Sequence, residues 1–245
     1  MPDNSTTSNV PYHRVLLKVS GEALMGDQAF GIDPGMISQV ADDIKAAVEA
    51  GVSVGLVVGG GNIFRGVSLA AGGADRVSAD HMGMLATVMN AIALRMGLEA
   101  AGLNAVVMSA IETPEIAESY SQRRALEHLD AGRVVIFAGG TGNPFFTTDT
   151  AAALRAAEIR ADVLMKATQV DGIYDADPEK HASAKRFDRI THSDVLARGL
   201  RVMDTAAVAL TQENDIPIIV FSIHEKGQFS EILRGGGRFT LVSND

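Results

Sequence analysis

The sequence predicts an α/β fold in which a mostly parallel central sheet is covered by helices. Short runs of Val, Ile and Leu alternate with segments of helical periodicity along the 245 residues. Strands that form continuous apolar runs are typical of parallel sheets buried on both faces. With 47% hydrophobic and 21% charged residues, the chain can bury a substantial core.

Six buried strands are predicted from apolar runs bounded by polar or turn-forming residues. They lie at 15–19, 52–58, 105–108, 134–138, 162–165 and 216–221. After the first strand, Asp33 and Pro34 form a typical helix start, an N-cap followed by proline at the first helical position. This helix is expected to run to about Ala50, where Gly51 ends it.

A second helix is predicted from about Asp80 to Ala101. Asp80 either caps this helix or binds a ribose, and the local sequence supports both interpretations equally. Helical spacing places five apolar residues on one face, and such a methionine-rich face packs either in the core or at a subunit interface. The five are Met82, Leu85, Met89, Ile92 and Met96.

The predicted domain organisation is a flexible tail, residues 1–12, followed by one compact domain, residues 13–245. A polar, turn-rich segment at 171–184 marks a weak seam in that domain. We therefore expect two lobes, 13–165 and 166–245.

Composition excludes several classes of protein. The net charge of −9 argues against a general nucleic-acid surface, and the absence of cysteine excludes disulfides and thiolate metal sites. The amino terminus lacks the pattern of a signal peptide, and the apolar runs are too short to cross a membrane. We expect a cytoplasmic protein without membrane or autonomous nucleic-acid partners.

The most informative segment, 139–159, combines a glycine-rich turn with a predicted helix start. Gly139, Gly140 and Gly142 allow the backbone to approach a ligand closely. The residues 147–149, Thr-Thr-Asp, then accept from the free N–H groups of an Ala-rich helix. Because a helix N-terminus favours negative charge, the segment predicts a phosphate pocket.

Two further segments belong to the same predicted phosphate site. Lys18 ends the first strand before a Ser-Gly turn, where a lysine can bridge phosphates or simply reach solvent. The glycines 59–61 follow the second strand, and Arg65 beyond them can bind oxygens in a bidentate way. Ligands bind at the carboxyl ends of parallel strands, so these segments should meet. No P-loop, dinucleotide-binding or protein-kinase motif occurs.

Three motifs lie in the carboxyl-terminal part of the chain. Lys166 follows a predicted strand and precedes a turn-rich stretch that can close over a nucleotide base. In that stretch Tyr174 would form an apolar wall and Asp177 would lie near the ribose, although a plain surface loop has the same composition. Asp204 is at a predicted helix start, where it either caps the helix or orients neighbouring lysines.

Taken together, these segments resemble the bacterial-type uridylate kinases (UMP kinases) of the amino-acid kinase superfamily. The resemblance extends from about Arg14 to Val242. It is carried by the segments 16–24, 59–66, 80–90, 140–149, 166–178 and 202–207. Of these, DHMGMLATVMN and TGNPFFTT are the most specific to UMP kinases.

The resemblance implies an amino-acid kinase-like three-layer fold and reversible phosphorylation of UMP to UDP by Mg-ATP in pyrimidine nucleotide biosynthesis. The implied catalytic residues are Lys18, Asp204, Lys166 and Arg65. The implied ATP-binding residues are Lys18, Val19, Ser20, Gly21, Gly61, Arg65, Thr168, Tyr174 and Asp177. The implied UMP-binding residues are Gly60, Asp80, Thr141, Gly142, Asn143, Pro144, Phe145, Phe146, Thr147 and Thr148. No dedicated protein metal site is expected, and Mg²⁺ would come with ATP.

The family resemblance also implies a homo-oligomer, a hexamer, with GTP as an activator and UTP as an inhibitor. The lobe 13–165 would bind UMP and the lobe 166–245 would bind ATP. The residues implied for effector binding are Gly26, Asp27, Gln28, Ala29, Phe30, Gly31, Arg95 and Arg133.

Two alternatives remain open at this stage. One is a nucleotide-sensing regulator of pyrimidine metabolism, against which the set Lys18, Arg65 and Asp204 favours catalysis. The other is a related kinase that phosphorylates a carboxylate, such as acetylglutamate or aspartate. The segment TGNPFFTT argues against that second alternative.

Overall fold

The computed structural model describes residues 11–64, 73, 75–178, 180, 181, 183–200 and 202–245. Arg65 and the first ten residues of the expected tail lie outside this range. Tyr12, also assigned to the tail from the sequence, is half-buried and packs against the core.

The described strands and helices alternate along much of the chain. The strands are β1 (Arg14–Val19), β2 (Ser53–Val58), β3 (Ala105–Ser109), β4 (Glu118–Ser119), β5 (Val134–Ala138), β6 (Val163–Thr168), β7 (Ile173–Tyr174), β8 (Arg186–Phe187), β9 (Arg189–Thr191), β10 (Ile218–Ser222) and β11 (Phe239–Ser243). The α-helices are α1 (Pro34–Glu49), α2 (Arg76–Ala100), α3 (Gln122–Asp130), α4 (Thr148–Glu158), α5 (His192–Arg198), α6 (Thr205–Glu213) and α7 (Gln228–Leu233), and a short 3-10 helix spans Gly21–Met25.

Nine strands form one sheet in the order β4-β3-β5-β2-β1-β6-β10-β11-β9, and β7 and β8 form a separate two-stranded ribbon. All neighbouring pairs in the large sheet are parallel except β10 and β11. The predicted α/β class with a mostly parallel sheet is therefore confirmed.

Each face of the sheet packs against its own layer of helices. Along β1, Val15 and Leu17 contribute to the core beneath α1, α2 and α7, whereas Leu16 contributes to the core beneath α4, α5 and α6. Successive strand residues point to opposite faces. Lys18 therefore lies on the same face of the sheet as α4.

The first predicted helix is confirmed, because Asp33 caps α1 by accepting from the backbone N–H of Met36 at 2.9 Å. The predicted start of the second helix, at about Asp80, was wrong. Asp75 is its N-cap, accepting from Ser78 N at 2.8 Å, so α2 begins at Arg76 and Asp80 lies inside it rather than capping it. The sequence signal was present, since Asp is a preferred N-cap residue.

The methionine-rich face of α2 is exposed, so the core interpretation of that face was wrong. Met82, Leu85, Met89 and Met96 are 46–62% exposed. Ile92 departs from this face, since it packs against the core. The buried side of α2 carries other residues instead: Met84, Val88, Ala91, Leu94 and Leu98. None of the helices described here combines the length and the apolar composition that a membrane span requires.

Candidate active site

The carboxyl ends of four neighbouring strands bring the predicted phosphate-binding segments together. The glycines 59–61 follow β2, and Gly139 and Gly140 follow β5 with φ values of 75° and 59°. The backbone at Gly21 packs so closely on the 59–62 loop that a Cβ there would lie 2.6 Å from Gly61 N. Two glycine-rich loops and the turn after β1 thus form one surface.

A cluster of three charged side chains lies beneath that surface. The ammonium of Lys18 is 2.8 Å from one oxygen of Asp149, and the ammonium of Lys166 is 2.9 Å from the other. Lys18 and Lys166 are directly opposite in the parallel register of β1 and β6, and Asp149 comes from the first turn of α4. All three are largely buried. The cluster thus combines two cations with one anion.

Burial and the neighbouring charges shift the pKa values in this cluster. Burial alone would raise the pKa of Asp149, but the ammonium groups of Lys18 and Lys166 outweigh that effect and hold the pKa below its usual value. Burial lowers the pKa of Lys166, although Asp149 opposes this shift. Asp149 therefore remains an anion between the two lysines.

Asp204 joins this cluster from the start of α6. One of its oxygens accepts from Ala207 N at 2.7 Å as a helix cap, and the other accepts from the hydroxyls of Thr147 and Thr150, the latter at 2.6 Å. Lys166 also donates to the carbonyl of Val202, two residues before Asp204. The sequence left two alternatives for Asp204, a helix cap or a residue that orients the neighbouring lysines. In the structure Asp204 caps α6 and also lies beside the charged cluster.

A first cavity of about 200 Å³ opens beside the cluster. Six residues implied for UMP line it, namely Gly60, Asp80, Thr141, Phe146, Thr147 and Thr148. Gly61, which was implied for ATP, lines the same cavity. Gly140, a glycine of the predicted phosphate pocket, also lines it, and the remaining lining residues were not predicted: Phe64, Arg76, Ala79, Gly83, Met84 and Thr87. Thr147 caps α4 by accepting from Asp149 N at 3.0 Å, so a helix N-terminus faces this cavity as expected.

A second cavity of about 390 Å³ lies on the other side of Lys166. It is lined by four predicted residues, Lys166, Thr168, Tyr174 and Asp177. Apolar walls come from Val170, Ile173, Leu200 and Val220. Lys166 of the charged cluster lines the second cavity, and Thr147, which accepts from Asp149 N, lines the first, so the cluster lies between residues of the two cavities.

Two buried asparagines, Asn62 and Asn90, hold the 59–62 loop in place through hydrogen bonds. Asn90 of α2 donates to the side-chain oxygen of Asn62 at 2.7 Å, and Asn62 donates to that of Asn90 at 3.0 Å. Asn90 also donates to Gly59 O at 2.7 Å, and Asn62 donates to Gly31 O at 2.8 Å. The pair thus ties the glycine-rich loop to α2 and to the segment that ends at Gly31.

Some predicted site residues do not line either cavity. Among the residues implied for UMP these are Gly142, Asn143, Pro144 and Phe145. Lys18, Val19, Ser20 and Gly21 lie at the strand edge between the cavities without lining them, and the oxygen of Ser20 caps the 3-10 helix. Arg65, implied for phosphate binding, lies outside the described ranges.

The residues implied for effector binding come from three parts of the described structure: the segment after the 3-10 helix, α2, and the turn before β5. The segment 26–31 follows the 3-10 helix, and Phe30 within it is 77% exposed. Arg95 pairs loosely with Glu99 at 3.8 Å, and a guanidinium nitrogen of Arg133 is 3.0 Å from Nδ1 of His128. Neither of these two contacts involves the segment 26–31.

Sequence reasoning missed Asp149, Thr150 and Arg76 as site residues. Asp149 was recognised only as part of a helix start, because its contact with two lysines depends on how α4 crosses β1 and β6.

Two cations between two cavities can neutralise anionic groups held on either side. Among the described residues, no group of three or more His, Cys, Asp or Glu side chains could hold a metal ion.

Comparison with known proteins agrees with this geometry. Residues 13–222 match the model of the amino acid kinase family, and the chain belongs to that family. It is 65% identical over 234 residues to a uridylate kinase from Chelativorans sp. (strain BNC1), covering 96% of this chain and 95% of that one. It is 67% identical over 231 residues to a uridylate kinase from Agrobacterium fabrum (strain C58), covering 94% and 96%.

A solved structure of UMP kinase from Bacillus anthracis superposes with a TM-score of 0.92 at 38% identity. The match covers 96% of this chain and 97% of that chain. Within the amino acid kinase family, the chain is thus a member of the uridylate kinase group, and the resemblance recognised in the sequence is confirmed.

Proposed function

We propose that this protein transfers the γ-phosphoryl group of ATP reversibly to UMP, giving ADP and UDP, in pyrimidine nucleotide biosynthesis. The observation that carries the proposal is the pair of lysines, Lys18 and Lys166, held on one carboxylate between two cavities. Two anionic ligands on either side of such a pair would meet at the cations. The names of the relatives supply the identity of the two nucleotides.

We assign UMP to the first cavity and the adenosine of ATP to the second. Asp80 and Thr147 would contact UMP, and Thr168, Tyr174 and Asp177 would contact adenosine. This assignment divides the chain into a UMP-binding part, 13–165, and an ATP-binding part, 166–245. Arg65 is proposed to contact phosphate on the strength of the family motif alone.

The chemistry requires positioning and charge neutralisation more than a general base, because the attacking oxygen of UMP is already an anion. Two unit charges about 4 Å apart repel by about 4 kcal/mol at an intermediate dielectric. Lys18 and Lys166 would offset this repulsion while the backbone N–H groups of the glycine-rich loops orient the phosphates. Asp149 holds the two lysines in place.

The proposed cofactor is Mg²⁺, which enters with ATP. Asp149 is paired with both lysines, so the donors that we propose for the metal are Asp204 and the phosphate oxygens of ATP. This donor set fits Mg²⁺, which commonly takes one or two carboxylates and several phosphate oxygens. When bound, the ion would spread the charge of the phosphates, with Asp204 as the adjacent protein oxygen donor.

We also propose a cytoplasmic homo-oligomer, a hexamer, regulated by GTP and UTP. The exposed methionine-rich face of α2 supports the association, because large apolar side chains grouped on one helix face commonly mark an interface. Sedimentation would test the oligomer, and rate measurements with added GTP or UTP would test the effectors.

A coupled assay of ADP release tests the proposed reaction. With Mg-ATP present, UMP should support turnover far above CMP, dUMP, acetylglutamate and aspartate. Turnover with a carboxylate substrate alone would identify a different kinase of the family. If UMP binds but no substrate is turned over, the protein is a nucleotide-binding regulator and the proposal is wrong.

A further inference from the structure

Arg76, at the start of α2, makes contacts that connect this helix to the glycine-rich loop after β5. Its Nε lies 2.8 and 2.9 Å from the two carboxylate oxygens of Asp80, one helical turn further on. Its guanidinium also lies over the ring of Phe145, 5.6 Å from the ring centre. Arg76 and Asp80 both line the first cavity.

Asp80 also contacts the loop after β5 directly. The backbone N–H of Phe145 donates to Oδ2 of Asp80 at 2.7 Å. Phe145 has a φ of 72°, a left-handed conformation that is costly for an aromatic residue unless its surroundings maintain it. The Asp80 carboxylate and the Arg76 guanidinium both contact Phe145.

An ordinary i,i+4 ion pair on a helix surface makes contacts only within its own helix. The Arg76–Asp80 pair also contacts Phe145, which lies outside α2. The side chain of Asp80 is 13% exposed, whereas that of Arg76 is 40% exposed. A carboxylate has about four acceptor sites, and the contacts with Arg76 and Phe145 occupy at most three of them. Counting these contacts of the described residues alone, Asp80 keeps at least one acceptor site for a hydroxyl donor in the cavity.

We propose that Arg76 is a positioning residue that sets Asp80 to receive the ribose hydroxyls of the acceptor nucleotide and fixes the loop carrying Phe145. The inference rests on the proposed function, because it takes UMP as the occupant of the first cavity. Arg76 acts through Asp80 and Phe145, so its loss should weaken recognition of the acceptor sugar and leave the ATP side unchanged.

Arg76→Met tests this inference, because methionine keeps an unbranched apolar stem but removes the guanidinium. We expect the KM for UMP to rise about 10-fold or more, with the KM for ATP and kcat changing less than about 3-fold. The preference for UMP over dUMP in kcat/KM should fall about 5-fold, since an unoriented carboxylate discriminates the 2′-hydroxyl less well.

A second measurement needs no activity. Hydrogen exchange of the nucleotide-free protein should show faster exchange of the Phe145 amide in Arg76→Met than in the wild type. Arg123→Met is the matched control, because Arg123 forms an exposed i,i+4 ion pair with Glu127 at 2.6 Å on α3. It should leave the kinetic constants and the exchange at Phe145 unchanged.

Three outcomes would overturn the inference about Arg76. The first is an unchanged KM for UMP in Arg76→Met, and the second is an equal rise in the KM values of both nucleotides. The third is unchanged exchange at Phe145. Failure of the proposed function is distinguishable, because it would appear as absence of turnover with UMP in the wild type, whereas the exchange experiment would still report on the contact with Phe145.

Discussion

Lys18 and Lys166 lie opposite each other on adjacent parallel strands and share the two oxygens of Asp149. Neighbouring strands are about 4.8 Å apart, so this register holds two like charges close together without any ligand. A single carboxylate from α4 offsets their repulsion. The arrangement keeps positive charge in place before phosphates arrive, and this avoids reorganisation during the reaction.

Removing Lys18 should damage catalysis much more than stability. We expect Lys18→Met to lower kcat about 100-fold or more, because one of the two cations facing the phosphates is lost. Asp149 would still be paired with Lys166, so the melting temperature should change by only a few degrees. Steady-state kinetics and thermal denaturation measure the two effects. Lys226→Met, at an exposed position, is the control; equal kcat in both variants would contradict the role of Lys18.

The lowered pKa of Lys166 predicts a pH dependence. Activity should decline on the alkaline side at a pH below the usual pKa of a lysine, because Lys166 loses its proton earlier when buried. Asp149→Asn should move this decline to still lower pH, since Asp149 raises the pKa of Lys166. Profiles of kcat against pH for the two proteins measure the shift, and a shift to higher pH would contradict it.

The same lowered pKa fixes the sign of the effect of Lys166 on stability. Between its folded and unfolded pKa values, the unfolded chain binds more protons at this residue. The contribution of Lys166 to the free energy of unfolding should therefore increase as the pH rises through that window. Urea denaturation of the wild type and Lys166→Met at several alkaline pH values would isolate this contribution.

Gly21 packs closely on the 59–62 loop, so we expect Gly21→Ala to disrupt both the turn after β1 and that loop. A methyl group at position 21 would lie 2.6 Å from Asn62 Oδ1 and from Gly61 N. The loops must separate, so we expect a loss of about 1–3 kcal/mol in the free energy of unfolding, as is typical of overpacking. The kcat/KM for ATP should fall as well, and urea denaturation and kinetics measure these effects.

Gly83→Ala is the stability control for this experiment. Among the described residues outside its own stretch of α2, no atom would lie within 4 Å of the added methyl group. Replacing a helical glycine with alanine is expected to add about 0.5–1 kcal/mol. Equal free energies of unfolding for Gly21→Ala and Gly83→Ala would refute the steric argument.

Asn62 and Asn90 form a buried hydrogen-bonded pair, so replacing one of them should lower the free energy of unfolding substantially. Asn90→Leu should lower the free energy of unfolding by about 1–3 kcal/mol for each polar group left unpaired, here the Asn62 amide and Gly59 O. Asn214→Leu, at an exposed position, is the control and should cost much less. Similar urea midpoints for the two variants would show that the buried pair adds no stability.

The strands of the sheet interior could be predicted because strands buried on both faces are continuous apolar runs. All six predicted strands correspond to observed ones, with limits that differ by a few residues. The strands that were missed, β4, β7, β8, β9 and β11, are short or lie near the sheet edge or in the ribbon. Their pairing depends on tertiary contacts that local periodicity does not encode.

Residues of the candidate site were identified from the sequence where they are tied to a strand end or a helix start, as for Lys18, Lys166 and Asp204. Asp149 was not, because its role depends on the register of β1 with β6. Arg76 was missed because the start of α2 was predicted too late in the sequence, which left this residue outside the helix. Local signals therefore identify the cations, but the contacts that hold them depend on the assembled sheet.

The position of β1 inside the sheet has a consequence for synthesis of the chain. β1 pairs with β2 on one side and with β6 on the other, and β6 begins only at Val163. While the intervening residues are being added, one edge of β1 has no partner and could pair with another nascent chain. The pairing that closes this edge also brings Lys166 beside Lys18, so nucleotide binding would report that the central sheet of a newly made molecule is complete.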